Sequence, residues 1–202
     1  MSRTPDLREI PDIPLEIQQA ALNGDLVLFV GAGVSMLVGL PSWRDLAWSV
    51  LNDLREKGYI NYSELEQLKP LDPKKQLSIA ELIAEENGFT LELAGHLTAE
   101  KDDKGIYKFL NEIGCACVTT NYDELLSPRF YQTSDGSTTA ATVTRVPRKN
   151  DFHAGHLNIP GTVVHLHGSV SQPETMVVTT KHYLAHYDDE MVQHFLNELF
   201  EK

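Results

Sequence analysis

Cysteine is almost missing from this chain. Cys115 and Cys117 are the only two among 202 residues, which leaves out a disulfide-stapled scaffold and a zinc module built from cysteine pairs. Two positions apart on a strand, they point the same way without the geometry for an easy disulfide, so both read as core. Long apolar runs are missing as well. Nothing approaches the roughly 20 residues of a membrane span, and Met1-Ser-Arg-Thr-Pro-Asp6 lacks the apolar stretch of a secretion signal. No membrane partner is expected, and the default address is the cytoplasm. Basic charge is scarce: 17 Lys and Arg stand against 29 Asp and Glu, a formal net charge of -12. No Lys or Arg cluster is long enough for a basic stripe, so this chain alone is a poor partner for nucleic acid. There is no internal repeat and no low-complexity tract. With 42% hydrophobic residues, the chain has enough apolar material for one domain with a sizeable core.

What is present are three short runs, each at the end of an apolar, strand-like stretch. Gly31-Ala-Gly-Val-Ser35 follows Leu26-Val-Leu-Phe-Val30, Thr119-Thr-Asn-Tyr-Asp123 follows Cys115-Ala-Cys-Val118, and His165-Leu-His-Gly168 follows Thr162-Val-Val164. Such continuous apolar stretches are typical of parallel strands buried on both faces. Ligands of open parallel sheets bind where the carboxyl ends of neighbouring strands open a crevice, so the three runs are expected to converge on one pocket.

Between these runs the pattern is mostly helical. Residues 1–13 are expected to cross the surface, a short helix covers Leu15 to Leu22, and Asn23-Gly24-Asp25 turns into the first strand. Met36 to Pro41 is too apolar for an ordinary loop. Ser42 then caps a helix with Asp45 three residues on, and Leu46, Ala47, Val50, Leu51 and Leu54 form its buried stripe. Helical periodicity returns at about 74–87, 90–98 and 103–112. Beyond the second strand, Tyr122 to Leu126 reads as a helix, and Ala141 to Val146, Thr162 to Leu166 and Met176 to Thr179 read as strands. A closing helix over Asp188 to Phe200 should turn Met191, Phe195 and Leu199 inward.

Each run has a plain structural reading beside the functional one. A glycine pair after a buried strand lets the backbone approach a pyrophosphate, but it also simply makes a tight turn. The dehydrogenase fingerprint would need glycine where Met36 stands, and Asp53, at the spacing of its acidic ribose ligand, falls inside a helix. Hydride transfer is therefore disfavoured. Asn121 could cap a helix beginning at Tyr122. His165 and His167 share one face of a strand end, and either could be a core histidine. His182 and His186 are four apart, yet no cysteine cluster or carboxylate signature accompanies them, so no metal is expected.

Taken together, Gly31-Ala-Gly-Val-Ser35, Gly39-Leu-Pro-Ser-Trp-Arg44, Thr119-Thr-Asn-Tyr-Asp123 and Leu166-His-Gly-Ser169 resemble the motifs of the sirtuin family in order and spacing. The resemblance implies an α/β fold: a Rossmann-like parallel sheet flanked by helices, with a helical layer at about 58–113 inserted between the first two core strands, all within a single NAD-binding domain over 1–202. It implies that Gly31, Ala32, Gly33 and Ser35 hold the phosphates and ribose of NAD and that Arg44 lies on the cofactor loop. Thr120, Gly168 and Ser169 fall in the same motifs and are carried over as cofactor-binding. Asn121 would face the nicotinamide ribose, Asp123 would contact the carboxamide, and His167 would bond the ribose hydroxyls and act as a base. Asn121 and His167 are the implied catalytic pair.

Two departures narrow the reading. Sirtuin deacylases carry two Cys-x-x-Cys pairs after the His-Gly motif, and no cysteine follows residue 117 here. Ser42-Trp43 also replaces the Asp-Phe of the cofactor loop, and the motifs look more like the bacterial sirtuin-like domains that hydrolyse NAD in antiphage defence. The implied activity is NAD hydrolysis with NAD as substrate; the alternatives are an NAD-dependent deacylase and a silent NAD or ADP-ribose binding module. Relatives of this type usually continue past the last helix into one more strand, so a C-terminally shortened domain is expected, acting as a homo-oligomer or with a sensor or effector partner.

Overall fold

The computed structural model describes residues 12–98, 105–134 and 137–201. Its elements, in chain order, are α1 (Leu15–Asn23), β1 (Val27–Val30), α2 (Ala32–Leu37), α3 (Trp43–Glu56), α4 (Tyr62–Leu68), α5 (Pro73–Glu86), α6 (Ile106–Glu112), β2 (Ala116–Thr119), β3 (Tyr131–Ser134), β4 (Ser137–Ala140), β5 (Thr144–Val146), β6 (Thr162–His165), α7 (Thr180–Tyr187) and α8 (Glu190–Glu201). A four-stranded sheet runs in the order β1-β2-β6-β5, every neighbouring pair parallel. The fold is α/β, a Rossmann-like parallel sheet flanked by helices, with α2 to α6 lying in sequence between β1 and β2.

The central strands β2 and β6 are buried at every position, which is why their sequences are continuous rather than alternating. Side-chain alternation then splits the core in two. Val118 and Val164 pack on one face with Phe152, Val192 and Phe195, whereas Cys117 and Val163 pack on the other with Val30, Tyr107 and Leu126. Cys115 and Cys117 are both free thiols in that second layer.

The helices between β1 and β2 have their own core. The α3 stripe reads as the periodicity predicts, with Leu46, Ala47, Val50, Leu51 and Leu54 all buried. They pack on Leu65 of α4 and Leu77 and Ala80 of α5, and Tyr122, Met176 and Val178 join this cluster from beyond the strand ends. Each helix begins for a local reason: Ser42 accepts from the Asp45 amide, Asn61 and Glu64 make a reciprocal capping box, and Asp72 caps α5 with Pro73 at its first position. Ser42→Ala is expected to lower stability by about 1 kcal/mol, read as a lower urea midpoint at unchanged slope.

Several elements differ from the sequence reading. Residues 1–11 and 103–104, placed there in a surface segment and a helix, lie outside the described residues. The stretch at 90–98 forms only a 3-10 turn, Ala94–Leu97. Tyr122 to Leu126 is not a helix, because side chains take its backbone groups: Asp123 accepts from the Leu125 amide at 3.2 Å, Asn111 donates to the Leu125 carbonyl, and Arg145 donates to the Glu124 and Leu126 carbonyls. Asn121 is accordingly no helix cap. Met176 to Thr179 is buried but joins no ladder; the Val177 amide bonds the His167 carbonyl and the Val177 carbonyl accepts from the Tyr122 hydroxyl. The strand predicted over Ala141 to Val146 shrinks to β5, and β3 and β4 form an antiparallel hairpin before it. In α8 the inward residues are Val192 and Phe195 with Leu196 and Leu199, while Met191 is 44% exposed, because the stripe centres near Val192 and Leu199 and Met191 lies about 90° from that centre at about 100° per residue.

Candidate functional site

The sheet register sets up the site. Val30 lies opposite Thr119, and Thr119 opposite His165, so three runs that are far apart in sequence leave the sheet at one level. The Thr120 amide bonds the Val30 carbonyl and the Leu166 amide bonds the Thr119 carbonyl, extending that alignment past the strand ends. A cavity opens there, with Ala32, Ser35, Thr120, Asn121, Asp123 and His167 on its polar side. Leu40 and Pro41 of the α2–α3 connection, Trp43 and Leu46 of α3, Leu97 before α6 and Tyr122 just past β2 supply an apolar wall.

The other candidates sit around this cavity without lining it. Gly31 caps α2 and its carbonyl accepts from Asn121 Nδ2 at 3.1 Å. Gly33 lies on the exposed side of α2, where an added Cβ would meet no atom within 4 Å. Arg44 is exposed on the first turn of α3. Gly168 makes the turn behind His167 with φ 84°, and an added Cβ would stand 2.3 Å from the Thr175 carbonyl oxygen, so both backbone and space demand glycine. Ser169 turns away to donate to Glu124 at 2.6 Å, and Ser171 bonds the same carboxylate oxygen. Burial works to raise the Glu124 carboxyl, but these two hydroxyls and Arg145 outweigh it and leave it below the usual range.

Inside the cavity, polar groups are tied into one network. Ser35 Oγ donates to Asp123 Oδ2 at 2.7 Å and lies 3.0 Å from the Tyr107 hydroxyl. Burial, followed by the Asp123 charge, pushes that phenol up to about 12. Thr119 Oγ1 accepts from the Asn121 amide, and Asn121 Nδ2 donates to Gly31. Asn121 Oδ1, by contrast, is buried with no partner. A lone buried acceptor costs about 1–3 kcal/mol, so such an atom calls for a role.

The two histidines are used differently. His165 is fully buried and its Nδ1 lies 3.2 Å from the Asn121 carbonyl; a carbonyl only accepts, so Nδ1 carries the hydrogen. His167 Nε2 lies 2.7 Å from the Tyr187 hydroxyl, and its ring meets Tyr183 edge-on at 5.1 Å. Burial pushes the His167 imidazole down to about 4, with His186 and then Lys74 adding to it. His167 is therefore neutral at pH 7.

Among the described residues, no group of three or more His, Cys, Asp or Glu is placed to hold a metal ion. His182 is instead 3.2 Å from Glu81, and His186 packs against Phe152 and His167. No helix among the described residues is long and apolar enough to cross a membrane. Asp53, inside α3 as expected, bonds His96 at 2.8 Å. The sequence reading missed Tyr107 and Tyr187, which contact the site from α6 and α7. Neither stands in a strand-end run, and α7 lacks the apolar periodicity that would have exposed it.

With this geometry, similarity becomes informative. Residues 116–202 match a family model described as a SIR2-like domain. The match supports a sirtuin-like relationship and runs from β2 to α8, taking in the Thr119–Asp123 and His165–Gly168 runs. The glycine run at 31–35 precedes the matched segment, and the β1–β2 pairing brings it alongside. No curated protein matches the chain.

Proposed function

We propose that this chain is an NAD glycohydrolase, cleaving the nicotinamide–ribose bond with water to give nicotinamide, ADP-ribose and a proton, within one sirtuin-like domain over 1–202 whose helical insertion covers about 58–113. The observation that carries the reading is the unpartnered, buried Asn121 Oδ1 on the cavity wall beside Asp123 and His167. The SIR2-like match supports NAD as the ligand. Gly33 fits it too: neither its backbone angle nor its packing requires glycine, while close approach of a phosphate would.

The chemistry asks little of the protein beyond placement. Nicotinamide leaves as a neutral molecule from a cationic ring, so its departure needs no acid; the barrier lies in forming an oxocarbenium-like ribose. Asn121 Oδ1 accepts a hydrogen bond from the attacking water and aims it at the ribose carbon. The Asp123 carboxylate, oriented by Ser35, holds the carboxamide of the leaving ring. His167, held neutral, engages the ribose hydroxyls. Capture of an oxocarbenium makes the incoming water strongly acidic, so its proton leaves to solvent without a strong base. Gly31, Ala32 and Thr120 border the ribose and phosphates, with Arg44, Gly168 and Ser169 as outer supports. NAD depletion in antiphage defence, in the cytoplasm and with a homo-oligomeric or sensor partner, is the role that fits a hydrolase of this kind.

Purified chain incubated with NAD is expected to release nicotinamide without any acetyl-lysine peptide, and His167→Ala is expected to slow release about a hundredfold. Release that requires the peptide would replace hydrolase by deacylase. Calorimetric binding of NAD with no release in either condition would make the domain a silent binding module.

A further inference from the structure

His167 meets the cavity from the β6 turn, but the group that fixes its ring comes from α7. The Tyr187 hydroxyl is 2.7 Å from His167 Nε2, and the two rings stand nearly perpendicular, 5.9 Å apart. Tyr183, one turn earlier on the same helix, lies edge-on to the imidazole from the adjacent position. Two aromatic side chains at i and i+4 therefore frame one imidazole, as neighbours on a helix face must.

We propose that Tyr187 is a positioning residue for His167: its hydroxyl donates to Nε2, holds the imidazole in the Nδ1–H tautomer, and so makes His167 a hydrogen-bond donor to the substrate rather than a base. The proposal rests on the NAD reading for the substrate, while the contact itself stands on the geometry alone. A neutral imidazole has one donor and one acceptor nitrogen. The Tyr187 phenol keeps its proton, and burial raises it above its ordinary value; a protonated phenol can donate or accept, so the donor role is what the proposal assigns and the tautomer is what the experiment reads. The acceptor nitrogen of His167 is then spent within the protein, and Nδ1–H, which makes no hydrogen bond among the described residues, is what the ring can offer a ribose oxygen. A second-sphere bond of this kind sets which nitrogen carries the hydrogen.

The charged and titratable groups around His167 come from three directions. Lys74 of α5 sits 3.8 Å over the Tyr183 ring, His186 is 6.0 Å from His167 on α7, and Asp123 shares the cavity wall. Lys74 and His186 oppose protonation of His167. In the proposed direction the Tyr187 bond adds to this, because Nε2 can accept from the hydroxyl only while it carries no hydrogen.

The test is Tyr187→Phe, which keeps the ring and removes the oxygen from a residue that is 39% exposed. Imidazole nitrogen NMR, with His167→Gln to assign the signal, is expected to show the Nδ1–H form in the native protein and a shift toward Nε2–H in the variant. The His167 titration is expected to move upward from about 4. In steady state, kcat for nicotinamide release should fall about tenfold with KM within twofold, the size of one lost orienting bond. An unchanged tautomer and titration in Tyr187→Phe overturns the proposal even if the native protein hydrolyses NAD. The expected NMR shift in a protein that releases no nicotinamide leaves the positioning role standing and removes the hydrolase reading instead.

Discussion

Asn121→Ala is expected to slow nicotinamide release about a hundredfold to a thousandfold while the protein stays folded. The size is that of losing one preorganised group aimed at a reacting centre in a water-poor site. Asn121 suits the role because its halves are divided: Nδ2 is anchored on the Gly31 carbonyl, and Oδ1 is buried without a partner in a residue that lines the cavity. The anchor makes the free oxygen rigid. Removing the side chain strips the Gly31 carbonyl of a partner but also removes the unpartnered Oδ1, so these largely offset each other and unfolding free energy should change by no more than about 1 kcal/mol. Single-turnover nicotinamide release, set beside thermal unfolding of the same preparation, separates the two effects. Release at the native rate from a folded Asn121→Ala protein would remove Asn121 from the chemistry.

Acidification from pH 6.5 to 4 is expected to cost roughly 3 kcal/mol of stability at His167 alone. The sign follows from where the proton prefers to be. An imidazole titrates near 6.5 in the unfolded chain and at about 4 for His167 in the folded one, so between these values the unfolded chain binds more protons. Stability is fully present above pH 6.5 and drains away as pH falls toward 4. His156, His165 and His186 are shifted in the same direction, each chiefly by burial, so their losses add to that of His167. Urea unfolding at pH 7, 5.5 and 4.5 measures the slope. His167→Gln should flatten it, and an equally steep slope in that variant would show that His167 is not the group responsible.

Much of this was legible in the sequence because it rests on local signals. Strand cores such as Leu26 to Val30 are apolar without a break, the α3 stripe keeps helical spacing for three turns, and the three strand-end runs stand out as polar breaks after apolar strands, although β1, expected to be buried on both faces, is an edge strand of the described sheet with Phe29 47% exposed. Six of the eleven candidate site residues, Ala32, Ser35, Thr120, Asn121, Asp123 and His167, do line one cavity. What stayed hidden was set by contacts between distant residues. The segment after Asn121 has the composition of a helix start, and Asn111, Arg145 and the Val170 amide, arriving from other elements, join Asp123 in holding its backbone open. The β3–β4 hairpin is rich in Ser and Thr, so it lacks apolar alternation, although the Asp135-Gly136 dipeptide between its strands is a recognised turn signal. Tyr187 was invisible for the same reason as α7: its importance comes from the turn it touches, not from its own neighbours in sequence.

The ties that shape the cavity join residues almost half the chain apart. Thr119 Oγ1 reaches the Val30 carbonyl across 89 positions, Asn121 reaches Gly31 across 90, and Ser35 reaches Asp123 across 88. Helices α3 to α5 can gather around their own leucines using nearby contacts, whereas the cavity must wait until β1 and β2 meet. Closing a loop of that length is an entropic step that precedes its reward. The pocket is thus a late product of folding, and any excursion that parts β1 from β2 abolishes it while leaving much of the helical layer formed.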